Sequence, residues 1–156
     1  MQEEFDTSCS SCQAIQGLVS LTIAPRIFET RHWIIEHIHP TEIKGWLVVI
    51  LNRHCRALHQ LTAEEFEEFG RLLPMLCQAL HEVLKTEKEY IIQFAEGEGF
   101  HHVHFHVIAR LPDWPETLRG RQVFSCIGEQ AENPLSDDVL IPLALDIKKY
   151  LLERWV

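Results

Sequence analysis

The chain is 156 residues long, 46% apolar and 24% charged, with a formal net charge of −9 from 14 basic and 23 acidic residues. That length supports one domain with a core of useful size, and the balanced composition excludes a wholly disordered chain. The acidic balance excludes a general attraction for extended nucleic acid, while a small phosphorylated ligand held by a local pocket of donors stays open.

Residues 1–16 are polar and expected to be irregular. They open Met1-Gln2-Glu3-Glu4, without the basic start and apolar stretch of a signal peptide, so a cytoplasmic protein is expected. Residues 18–24 are apolar and rich in β-branched side chains, which predicts a strand. Residues 32–39 alternate and predict a second. Residues 46–52 form a continuous apolar run, which predicts a buried strand and is too short to cross a membrane. Thr62-Ala63-Glu64-Glu65 fits a capping box, in which the first hydroxyl and the fourth carboxylate each satisfy a free N–H. Behind it Phe66, Phe69, Leu72, Leu73, Leu76, Leu80, Val83 and Leu84 recur at helical spacing. The spacing predicts one long helix ending near Lys85, kinked or broken at Pro74.

Residues 89–94 predict a strand, Glu96-Gly97-Glu98-Gly99 a turn, and residues 100–110 the next strand. Residues 111–134 lack periodicity and are expected to be loop. Ser136 is placed to cap a last helix over 137–153, with Leu140, Leu143, Ala144, Ile147 and Leu151 on one face. These elements predict an α+β fold: a mainly antiparallel sheet of about five strands, one long helix and a C-terminal helix.

Cysteines stand at 9, 12, 55, 77 and 126, and an odd number without a secretion signal argues against a disulfide framework. Cys77 falls in the helical pattern as a small core residue. Cys55 and Cys126 have no partner that the sequence identifies.

The chemistry is concentrated in His101-His102-Val103-His104-Phe105-His106-Val107-Ile108. On a strand His102, His104 and His106 share one face, and Val103, Phe105 and Val107 face the core. Three imidazoles in a row are costly to bury without partners. The row suits metal binding by neutral imidazoles or nucleophilic catalysis by one of them. A single ion shared by all three is strained, because His102 and His106 lie about 13 Å apart along a strand. His37, His39, His59 and His81 are read as surface residues, with His37 or His39 able to line a pocket.

The run from His102 to Ile108 resembles the histidine triad (HIT) family, whose motif is His-φ-His-φ-His-φ-φ with φ apolar. Lys44-Gly45-Trp46-Leu47-Val48-Val49 is similar to that family's glycine-led central strand. Asn52-Arg53-His54 followed by Leu61-Thr62 is similar to its basic turn before a helix, and Arg110 to the arginine after the motif strand. The resemblance spans residues 9–110. It implies a nucleotide phosphohydrolase acting on phosphoramidates or dinucleoside polyphosphates. His104 would attack the α-phosphorus to give a nucleotidyl-histidine, oriented by the backbone carbonyl of His102. His106 would contact the phosphate or help the leaving group, and histidine rather than glutamine there favours hydrolysis over transfer. His37, His39, Gln93 and Arg110 are the implied substrate contacts. The alternative is a nucleotide-binding regulatory protein with little turnover.

The resemblance divides the chain into an N-terminal segment at 1–16, a catalytic region at 17–112, and a loop with the C-terminal helix at 113–156. Three departures mark a divergent branch. Glu96-Gly97-Glu98-Gly99-Phe100 stands where many members carry Gly-Gln-Ser. Ala109 replaces a proline. Trp46 stands where many carry histidine, so an orienting role there is expected to be lost. One branch of the family binds zinc through an N-terminal Cys-x-x-Cys, the histidine of the basic turn and the first triad histidine. That implies a structural zinc site at Cys9, Cys12, His54 and His102. Relatives are usually dimers, so a homodimer is expected, with no organic cofactor and no membrane partner.

Overall fold

The computed structural model describes residues 5–20 and 25–156. Its centre is a five-stranded antiparallel sheet, built from β1 (Phe28–Glu29), β2 (Trp33–His37), β3 (Trp46–Leu51), β4 (Lys88–Ile92) and β5 (His104–Arg110) in the order β1-β2-β3-β5-β4. Three helices accompany it: α1 (Ser10–Ile15), α2 (Ala63–Leu84) and α3 (Asp137–Arg154). The α+β architecture with one long and one C-terminal helix is as the sequence predicts. Among the described residues no helix is long and apolar enough to cross a membrane.

Alternation decides what each sheet face does. Leu47, Val49, Leu51, Phe105 and Val107 face α2 and α3, where they meet Leu72, Leu76, Leu80, Leu140 and Ile147 in the main core. Phe69 stacks on Phe105 with ring centroids 4.2 Å apart, and Trp33 lies 5.0 Å from Phe69. The capping box forms: Thr62 Oγ1 accepts from Glu65 N–H, and Glu65 Oε2 accepts from Thr62 N–H. The expected break at Pro74 does not occur. Helix α2 runs through it, because its buried stripe of Phe69, Leu72, Leu76 and Leu80 anchors both halves, which outweighs a cost of about 3 kcal/mol. The predicted face of α3 is buried at all five positions.

Other expectations need correction. Residues 1–16 are not all irregular, since α1 forms behind Cys9, whose Sγ accepts from Cys12 N–H. The first strand is Phe28–Glu29. Residues 18–20 of the run expected there are bend and irregular, and 21–24 lie outside the described residues. Residues 113–135 are not a plain loop. They carry 3-10 turns at Glu116–Leu118, Gly120–Cys126 and Gly128–Gln130. Trp114, Val123 and Cys126 pack there with Trp46 and Ile108 in a second core on the sheet face away from the helices. Short 3-10 turns repeat at neither 3.6 nor 2 residues, so they leave no periodic trace.

Candidate active site and metal cluster

Strand β5 begins only at His104, two residues later than the first triad histidine. Upstream, the backbone bonds to the end of β3 and the turn after it: Leu51 N–H donates to Val103 O and Val103 N–H to Cys55 O. The expected single row of three imidazoles is therefore divided. His102 is fully buried and turned toward the N-terminal segment, while His104 and His106 stay on the open sheet face.

At the first end, His102 Nε2–H donates to Leu51 O at 2.7 Å. Its Nδ1 is thereby left as a lone pair, 3.6 Å from Cys9 Sγ and 3.5 Å from Cys12 Sγ. His54 brings its own Nδ1 to 3.3 Å from Cys12 Sγ, and its Nε2 faces Asp6 Oδ2 at 3.6 Å. The four ligand atoms of Cys9, Cys12, His54 and His102 lie within 4.8 Å of one another, a group able to hold a metal ion. The turn carrying His54 is fixed by Arg53, whose guanidinium pairs with Glu65 at 2.6 Å and donates to Gln60 O. Burial pushes the Cys12 thiol above its usual range, so the thiolate there needs a nearby cation.

At the second end, β3 and β5 pair Val48 with His106 and Ile50 with His104, and β2 sets Glu36 beside Val48. These five residues line a cavity of about 470 Å³, within the usual size of a small-molecule site. Phe94, Phe100 and Phe124 supply much of its apolar wall, and Ser11 reaches it from α1. No lysine or arginine lines it, and Glu36 is paired with Arg26 at 3.3 Å.

His104 Nδ1–H donates to His102 O at 2.7 Å. Burial lowers its pKa, so the ring is neutral and Nε2 carries a free lone pair. His106 stands beside it with ring centroids 5.1 Å apart. Burial, and then the neighbouring His104, push its pKa down to about 4. Trp46 Nε1–H donates to His106 Nδ1 at 3.0 Å. The orienting role that the sequence placed out of reach of a tryptophan is thus filled by the indole.

The remaining candidate contacts divide. His39 lines the cavity. His37 does not and is no surface residue either. It pairs with Leu47, so it points to the opposite sheet face and is 1% exposed. Its Nε2 accepts from Gly45 N–H and its Nδ1–H donates to Ile38 O. Gly45 holds φ +78, and an added Cβ would sit 2.5 Å from Leu84 and 2.8 Å from Ala109. Arg110 is off the cavity: it lies about 13 Å along the strand from His106 and pairs with Glu87 at 2.9 Å. Gln93 is not among the lining residues. His59 and His81 are exposed, as expected. Phe94, Phe124 and Asp6 went unnoticed as site residues and left no local signal, while Trp46 was noticed only as a departure from the resemblance.

A family model described as the HIT domain matches residues 26–113. The chain belongs to the HIT family. Its fold is similar to that of a Hit-like protein involved in cell-cycle regulation from Bartonella henselae, with a TM-score of 0.71 and 16% identity over 96% of this chain and 100% of that one. It is similar to a Zn-bound histidine triad family protein from Mycobacterium smegmatis, with a TM-score of 0.65 and 18% identity over 94% of each chain. It is also similar to the Plasmodium falciparum diadenosine triphosphate hydrolase, with a TM-score of 0.61 and 17% identity over 84% of this chain and 78% of that one. At these identities the likeness concerns the HIT fold alone. No curated protein matches the sequence.

Proposed function

We propose that this HIT protein is a nucleotide phosphohydrolase working through a nucleotidyl-histidine on His104, with a structural zinc ion at Cys9, Cys12, His54 and His102. The observation that carries the reading is the bond from His104 Nδ1–H to His102 O, which leaves Nε2 as a lone pair in the cavity. That lone pair attacks the α-phosphorus, and the bond to the leaving group breaks with its electron pair going to the leaving group. Water then attacks phosphorus and gives up a proton to solvent, the P–N bond breaks with its electron pair returning to Nε2, and His104 returns to its starting state. One hard displacement becomes two easier ones. The aromatic wall suits a nucleobase, and a fold neighbour described as a diadenosine triphosphate hydrolase agrees with the reaction class.

Zinc is supported by the donor set and by the zinc-bound neighbour. Three sulfur-to-Nδ1 contacts of 3.3–3.6 Å, in a group whose ligand atoms all lie within 4.8 Å, are close to the sulfur–nitrogen spacing of about 3.5 Å in a tetrahedral zinc site. When bound, zinc would tie α1 to the start of the catalytic strand. A second reading, nucleotide binding with little turnover, is favoured by the lack of a lysine or arginine among the described residues of the cavity wall.

The test is an alkaline quench of the protein with a nucleotide labelled at the α-phosphate, since phosphoramidates hydrolyse in acid. Wild type should retain label and His104→Ala none. Full turnover by His104→Ala would end the nucleophile assignment, and binding without label would leave the second reading.

A further inference from the structure

The bond between Trp46 and His106 fixes more than a ring orientation. An indole N–H donates and cannot accept. Trp46 Nε1 lies 3.0 Å from His106 Nδ1, so that nitrogen must present a lone pair and the ring's proton must sit on Nε2. Trp46 is fully buried and edge-on to His106 at 5.8 Å and 83°, with Phe124 5.4 Å away on the cavity side. Neither neighbour can receive a proton, and Nε2 makes no hydrogen bond to any described residue. An imidazolium at His106 would set two N–H donors against each other across the Trp46 contact.

We propose that Trp46 is a positioning residue that locks His106 as its neutral Nε2–H tautomer, restricting the site to leaving groups that depart as anions. This rests on the nucleotidyl-histidine reading above. A neutral imidazole N–H steadies charge on a phosphoryl or leaving oxygen by a hydrogen bond but is too weak an acid to hand its proton over. When the P–O bond of an anhydride or an aryl ester breaks, the electron pair stays on an oxygen that is stable as an anion, and no proton is needed. When a P–N bond breaks, the amine must gain a proton, and His106 has none to give and no route for replacing it through Nδ1. The burial that lowers the His106 pKa acts in the same direction.

The lock is read directly from long-range proton–nitrogen NMR of histidine-labelled protein without substrate. His106 should show an unprotonated Nδ1 and a protonated Nε2, and Trp46→Phe should move both signals toward a tautomer average. A protonated Nδ1 in wild type, or unchanged signals in a folded Trp46→Phe, overturns the lock. The consequence is read with two probes, the p-nitrophenyl ester and the benzylamide of one nucleoside 5′-phosphate. Wild type should favour the ester, and Trp46→His, which gives Nδ1 a partner able to exchange protons, should shift the ratio toward the amide at least about tenfold. Equal turnover of both probes by wild type overturns the leaving-group restriction. Wild-type turnover that survives His104→Ala ends the underlying reading instead, while the NMR result still judges the lock.

Discussion

His102 and His106 belong to one run of sequence and differ almost completely in circumstance. His102 lies just before the strand, is fully buried, and has both nitrogens committed, one to Leu51 O and one to the cysteine pair. His106 lies within β5, with one nitrogen held by Trp46 and its ring on the cavity wall. Between them His104 joins the two ends, since its ring bonds to the carbonyl of His102 and its free nitrogen belongs to the cavity. An imidazole becomes a ligand, a nucleophile or a donor according to which of its nitrogens the surroundings occupy. On the proposed reading the cysteine–histidine end, which is closed, serves to hold, and the cavity end, which is open, serves to react.

Breaking each end separately tests that division. The largest effect is expected at His104. His104→Ala should lower turnover of a nucleotide substrate by about 10³-fold or more and leave the metal content of the purified protein unchanged. Loss of metal in that variant would merge the two ends. Next comes Cys9→Ser, which removes a ligand from a buried group. Metal analysis after chelator-free purification should find one zinc per chain in wild type and a loss in the variant, and zinc-free wild type would reject the site. Added zinc should stabilise wild type by about 4 kcal/mol at a thousand times the dissociation constant, measured by urea unfolding, and should leave Cys9→Ser unmoved.

A buried histidine at neither end supplies the control. Burial pushes His37 down to about 4 from its usual 6.5, and both nitrogens are bonded only within the fold. Between those values the unfolded chain binds the proton and the folded chain does not, so stability falls as pH drops from 6.5 toward 4. The total is about 3 kcal/mol. His106 is pushed down to about 4 as well, so His37→Gln, whose amide can both accept from Gly45 N–H and donate to Ile38 O, should make that slope shallower by the His37 share in urea titrations and leave metal content as in wild type. An unaltered slope would mean the acid sensitivity comes from other groups.

How much of this was legible follows from where each interaction begins and ends. The alternation of Phe105 and Val107 with His104 and His106 is local, as are the stripes of α2 and α3, and each reads from a few neighbouring residues. The four metal-cluster residues were reached through resemblance, because no local pattern joins Cys9 to His102 across 93 positions. His37 was placed on the surface because alternation gives two faces without saying which is inward. Its register against Leu47 decides that, and register is a property of two strands. Trp46 and His106 sit on adjacent strands two residues out of direct register, so their bond exists only once β3 and β5 pair. Residues 113–135 hid their packing because Trp114, Val123 and Cys126 follow no period.

The smallest effect sharpens the comparison most, because it tests whether the metal end extends beyond its four ligands. Asp6 Oδ1 accepts from the backbone and the hydroxyl of Ser8, and these bonds hold its carboxyl below the usual range. The carboxylate therefore stays charged, with Oδ2 toward His54 Nε2. A carboxylate there favours, through its charge, a proton on Nε2, which leaves Nδ1 to face the sulfurs, as partners of metal-bound histidines do. Asp6→Asn should lower zinc affinity about tenfold in a chelator competition, with turnover unchanged at saturating zinc. The amide keeps the shape and loses the charge, so an unchanged affinity would show that His54 is aimed by its turn and by Arg53 alone.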